Sequence, residues 1–122
     1  MTRAAHRTLA AVLVSASAVT AAGADEAPLT AMQTEGMRAF HAHCDYCHLE
    51  GGTGSIMLGR RLGPGKALLE ARKDLDAAYV RASVRSGTRS MPALTRVEVT
   101  DAELAAIAEY LARAPAPLSG SR

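Results

Sequence analysis

Among its 122 residues the chain has no tryptophan, a single phenylalanine and three tyrosines, and most of its apolar content is alanine. A domain with so few bulky side chains has little area to set against the entropy lost on folding. A large apolar group held inside the fold would supply the missing volume, and without it the chain is expected to fold poorly. Cysteine is scarce too, with only two. That excludes a framework of several disulfides, and a bridge across two intervening residues would close too small a loop to stabilise much. No segment shows a strong strand pattern. No apolar run reaches the about 20 residues of a membrane span. Fourteen basic residues face twelve acidic ones, without the basic excess of a nucleic-acid surface.

The first 24 residues read as a secretory signal peptide. Arg3 and Arg7 give a positive start, Leu9 to Val19 is apolar apart from serines, and Ala22-Gly23-Ala24 forms a cleavage site before Asp25. Removing Arg3 and Arg7 leaves twelve basic and twelve acidic residues in a mature chain of 98, a length suited to one domain. Residues 25–33 are expected to be a flexible lead-in, 34–113 the folded domain, and the Pro-, Ala- and Ser-rich 114–122 a flexible tail.

Both cysteines fall in Cys44-Asp45-Tyr46-Cys47-His48, the C-x-x-C-H pattern of c-type haem attachment. Thiols three positions apart lie about one helical turn from each other, so both can add to the vinyl groups on one porphyrin edge. The next residue, His48, then offers an imidazole nitrogen to the iron. A zinc site would need further ligands at a similar spacing, and His41 and His43 only crowd the same segment. A thioredoxin-like dithiol would need a βαβ pattern, which is lacking. The expected cofactor is one covalently bound haem c, held by Cys44 and Cys47 with His48 as proximal ligand.

A second axial ligand has four candidates: Met57, Met91, His41 and His43. The histidines share the helix of the cysteines and cannot easily bend around the ring. Met57 has sufficient reach. Met91 follows a helix that can carry the chain around the porphyrin, next to the stiffening Pro92, and is the preferred distal ligand. Histidine–methionine coordination raises the potential and fills both axial positions, which suits an electron carrier and not a catalyst.

The helices expected are few. Thr34 can cap one running to about Cys47, with Met37, Phe40, Cys44 and Cys47 on one face. The glycine-rich Leu49 to Gly65 argues for loop, and a short helix is expected from about Lys66 to Arg72. Asp74 is expected to cap a better helix over Asp76 to Ser86, with Val80 and Val84 on one face and Gly87 as the stop. Thr100-Asp101-Ala102-Glu103 is a capping box and Val99 with Leu104 a hydrophobic staple. These open the last helix, whose stripe is Leu104, Ile107 and Leu111 with Tyr110 beside it.

C-D-Y-C-H, then R-S-G-T-R-S-M-P, then A-E-L-A-A-I-A-E-Y-L occur in the order found in monohaem class I cytochromes c, and the chain resembles that family over about Glu35 to Ala112. The resemblance implies an all-α fold of three to four helices around one haem, the first and last crossing near Gly36, Phe40 and Tyr110. It also implies Cys44, Cys47, His48 and Met91 as the haem-binding residues. Leu75 to Pro92 and the Pro-Ala-Pro tail are similar to the cytochrome subunit of p-cresol methylhydroxylase. The loop Gly54 to Leu62 looks more like that of eugenol or vanillyl alcohol hydroxylases, flavocytochromes in which a flavoprotein oxidises a phenolic substrate and passes on single electrons. In many class I cytochromes a Gly-Pro carbonyl orients the proximal histidine. Here Gly54-Ser55 hold that place, and the acceptor for the His48 ring N–H is left open.

The expected function is therefore periplasmic electron transfer, as a non-catalytic subunit or dedicated acceptor of a dehydrogenase, a flavoprotein acting on phenols or alcohols. The alternatives are a freely diffusing respiratory carrier and, from another class, a haem-based ligand sensor or peroxidase-like enzyme. Nine basic residues between Arg60 and Arg96 against Glu70, Asp74 and Asp76 suggest a basic rim near Met91 for an acidic partner. Arg85, Arg89 and Arg96 are its candidates.

Overall fold

The computed structural model describes residues 27–113. The expected signal peptide at 1–24 and tail at 114–122 lie outside them. Helix α1 spans Ala31–His43, α2 is the single turn Asp45–His48, α3 spans Thr53–Leu62, α4 Ala77–Ser86 and α5 Asp101–Leu111. Two 3-10 turns, Pro64–Lys66 and Leu69–Ala71, join α3 to α4. Among the described residues there is no strand, only an isolated bridge between Thr88 and Met91. The all-α expectation holds.

Caps explain most boundaries. Thr30, not Thr34, caps α1: its hydroxyl accepts from the Gln33 amide at 3.2 Å, and Gln33 Oε1 accepts from the Thr30 amide at 3.0 Å. This reciprocal pair satisfies two otherwise unpaired donors, so the helix starts four residues before the expected position. It also stops at His43, and Cys44 opens a separate turn. Asp76 caps α4 by accepting from the Tyr79 amide at 3.0 Å. Asp74, the expected cap, is taken instead by Lys66 and Arg72. The box at Thr100 and Glu103 forms as the sequence predicts.

The glycine-rich stretch is the main departure. Thr53–Leu62 is helical, with Gly52 before it and Gly63, at φ 96°, after it. The glycines mark its ends and its tight contacts, while Ser55 to Leu58 and Arg60 to Leu62 are ordinary helix residues. Gly59 inside it is tolerated at about 1 kcal/mol. The segment Lys66 to Arg72, expected as a short helix, is reduced to a 3-10 turn.

Helices α1 and α5 form the most extensive helix contact, and α4 packs on α5 beside it. The crossing is built on Gly36: a Cβ there would lie 2.0 Å from the Ala106 carbonyl oxygen and 2.8 Å from Tyr110 Cβ. The Phe40 and Tyr110 rings pack nearby, centroids 6.2 Å apart. The core joins Ala39, Phe40, Val80, Val84, Val99, Leu104, Ile107, Ala108, Tyr110 and Leu111. It is small, and it leaves one side open.

Candidate functional site

A cavity of about 630 Å³ lies on that open side, within the range of small-molecule and cofactor sites. Cys44, Cys47 and His48 line it from one segment and Met91 from another, so the fold brings together all four residues singled out in the sequence. Much of the remaining wall is apolar, including Phe40, Val80, Val84, Ile107 and Leu111.

Local hydrogen bonds set the cysteine turn. The Cys44 amide donates to the Phe40 carbonyl at 2.8 Å, tying the turn to the end of α1. The amides of Cys47 and His48 both donate to the Cys44 carbonyl, at 3.1 and 3.0 Å. Cys44 is half-buried and Cys47 exposed, and they form no disulfide with each other. Burial, with smaller contributions from Asp45 and Cys47, pushes the Cys44 thiol up to about 11. Burial also lowers the His48 pKa, which keeps its imidazole neutral and its lone pair available near neutral pH.

The start of α3 closes on this turn. A Cβ on Gly52 would lie 2.4 Å from the Cys47 carbonyl oxygen, and one on Gly54 would lie 2.9 Å from that oxygen and 3.0 Å from His48 Nδ1. Ser55, 3% exposed, donates its hydroxyl to the His48 carbonyl at 2.8 Å. His48 Nδ1 itself is buried with no protein partner. Sequence reasoning has no handle on Ser55 beyond its place beside Gly54.

Both candidate methionines line the cavity, but they are held differently. Met57 is 51% exposed on α3. Met91 is half-buried in a narrow turn, exchanging two 3.0 Å backbone hydrogen bonds with Thr88. The turn folds back on Gly87, where a Cβ would meet the Met91 carbonyl oxygen at 2.8 Å. His41 and His43 do not line the cavity. His41 Nδ1 lies 2.8 Å from Asp45 and His43 Nε2 3.4 Å from Glu103.

The arginines separate into two groups. Arg85 does not sit on an open rim: it donates to the carbonyls of Leu94, Thr95 and Val99 and to Asp101. Arg96 pairs with the same Asp101 at 2.7 Å. Of the three residues expected to form the basic rim, only Arg89 lines the cavity, joined by Arg60, Arg61 and Arg72. Arg72 is 10% exposed and aligned by Asp74 at 2.9 Å.

These residues fit a c-type haem. Two thiols one turn apart, a neutral half-buried imidazole and a half-buried thioether face an apolar space. Its arginines suit a ligand that is apolar in body and carries carboxylates.

The family model agrees with this chemistry. A family model described as cytochrome c oxidase, cbb3-type, subunit III matches residues 31–111. The cytochrome c subunit of 4-cresol dehydrogenase [hydroxylating] from Pseudomonas putida is 35% identical over 83 residues, which is 67% of this chain and 62% of that protein. A crystal structure of p-cresol methylhydroxylase with substrate bound is similar at a TM-score of 0.48, with 33% identity over 70% of this chain and 99% of the other. With the family model spanning α1 to α5 around a C-x-x-C-H cavity, the chain belongs to this cytochrome c family.

Proposed function

We propose that this protein is an exported electron-transfer cytochrome c, the non-catalytic subunit or dedicated electron acceptor of a dehydrogenase. Its partner is a flavoprotein that oxidises a phenol or alcohol. The observation that carries the reading is the turn Cys44–His48 opening into an apolar cavity that Met91 also lines.

In this reading Cys44 and Cys47 hold one haem c through thioethers, His48 is the proximal ligand and Met91 the distal one. The bound haem supplies one-electron chemistry between ferric and ferrous iron. The chain's own residues fix that chemistry. The Phe40, Val80, Val84, Ile107 and Leu111 walls would exclude water, and ligation by both His48 and Met91 would leave the iron no position for substrate. Arg60, Arg61, Arg72 and Arg89 offer donors to the haem carboxylates. The partner assignment is supported by the likeness to the 4-cresol dehydrogenase cytochrome subunit. Export to the periplasm is supported by the signal pattern of residues 1–24 and by where C-x-x-C-H thioethers are made. The folded domain is 34–113 extended back to the Thr30 cap, with the lead-in shortened accordingly.

Gentle purification at native expression, with a visible spectrum of the co-eluting proteins, tests this reading. The expected result is a flavin in constant ratio to haem c, with phenols or alcohols reducing the haem. A lone six-coordinate haem protein would instead establish the freely diffusing respiratory carrier. Carbon monoxide binding to the reduced protein at neutral pH would establish the sensor-like class.

A further inference from the structure

The two 3-10 turns between α3 and α4 bring three charged side chains together beside the cavity. Lys66 ends the first turn, and the Arg72 amide closes the second by donating to the Leu69 carbonyl at 3.1 Å. Asp74 accepts from both side chains. Arg72 Nε donates to Asp74 Oδ1 at 2.9 Å and Arg72 Nη2 to Oδ2 at 3.2 Å, while Lys66 Nζ reaches the same Oδ2 at 2.7 Å. These bonds, that of Arg72 first, hold the Asp74 carboxyl well below the usual carboxylate range, so it is an anion near neutral pH.

Arg72 differs from the other arginines of the cavity. Arg60, Arg61 and Arg89 are exposed, and each would lose side-chain freedom on binding an anion. The Arg72 side chain is 10% exposed and already fixed by its fork on Asp74. That fork uses one Nε and one Nη2 donor, which leaves Nη1 and the second Nη2 donor of the guanidinium for another acceptor. Arg72 and Lys66 together outweigh Asp74 by a single positive charge, which matches one carboxylate.

We propose that Asp74, backed by Lys66, is a positioning residue: it aims Arg72 into the cavity so that the free guanidinium donors bind one carboxylate of the haem. This deepens the haem reading above and rests on it. Arg72 so held offsets the negative charge of that carboxylate, which disfavours ferric iron and raises the reduction potential. Asp74 is half-exposed and carries the opposite charge, so its own field, weakened by solvent, lowers the potential. Positioning and direct charge therefore predict opposite signs when Asp74 is neutralised.

The test is the reduction potential of holoprotein variants at fixed pH and salt. Arg72→Gln is expected to favour ferric iron by about tenfold, a fall of about 59 mV for one electron, with the axial ligands unchanged in the visible spectrum. Asp74→Asn frees the Arg72 side chain and is expected to lower the potential too, by a smaller amount. Combining the two changes should bring no further fall beyond that of Arg72→Gln. A potential that rises or stays unchanged in Asp74→Asn would overturn the proposal, even with a lower Tm, leaving Asp74 a surface charge or a purely structural bond. Falls that add in the double variant would also overturn it.

A measurement on the wild type stands independently of how the variants fold. In reduced holoprotein, nuclear magnetic resonance is expected to show the Arg72 side chain in through-space contact with the methylene protons of one haem propionate, and the absence of that contact would overturn the proposal. A wild-type protein lacking covalent haem, or one whose iron is not bound by His48, would instead remove the functional reading itself.

Discussion

At the scale of single residues, the two methionines of the cavity separate by their burial and by the element that carries each. Met91 is fixed by two hydrogen bonds to Thr88 and folded against Gly87, whereas Met57 is half-exposed on a helix face. Met91→Ala is expected to leave the haem attached, lower the reduction potential and let the ferrous protein bind carbon monoxide. Met57→Ala should do none of these, as visible spectra with and without the gas will show. The arginines divide in the same way. Arg85 ties α4 to three carbonyls of the segment after Met91, so Arg85→Ala should cost about 2–3 kcal/mol by denaturant unfolding. Arg89 lines the cavity and is exposed. Arg89→Glu should slow electron transfer to an acidic partner and weaken its salt dependence. Equal transfer rates for wild type and Arg89→Glu would remove the charged-rim idea.

At the scale of helices, α1 and α5 can cross closely because Gly36 has no side chain. Its missing Cβ would fall 2.0 Å from a backbone oxygen of α5, not on the end of a movable side chain. Gly36→Ala must therefore push the helices apart, overriding the better helix propensity of alanine. A loss of about 3 kcal/mol is expected, measured as a lower denaturant midpoint with an unchanged slope. This contact was expected from the family resemblance, which implies that the first and last helices cross near Gly36, Phe40 and Tyr110. The caps at Thr100 and Gly87 were legible in the residues themselves, each depending on neighbours within a few positions. Helix α3 was not. Its glycines read as breakers because their partners, Cys47 and His48, become visible only once the chain has folded back. The attachment turn stood out in five residues, but the Ser55 bond to His48 and the pairing of Arg85 with Asp101 connect segments that local sequence does not relate.

At the scale of the whole molecule, the core and the cavity share their walls. Phe40, Val80, Val84, Ile107 and Leu111 belong both to the buried cluster and to the cavity lining. The rest of the buried apolar set includes three alanines, and its large members are Val99, Leu104 and Tyr110. Such a core offsets chain entropy only narrowly, so much of the stabilisation must come from apolar contact between these five side chains and the group they enclose. The scarcity of aromatic residues is thus the composition of a fold completed by its cofactor. Replacing both attachment residues, Cys44→Ser with Cys47→Ser, is expected to leave a chain with helical far-ultraviolet dichroism but no cooperative heat-capacity peak. The native holoprotein should show one sharp transition. A double variant that unfolds cooperatively near the holoprotein's Tm would mean that the α1–α5 crossing and the α4 contact suffice alone. The five shared wall residues would then be closing the cavity by collapse instead of waiting for the haem.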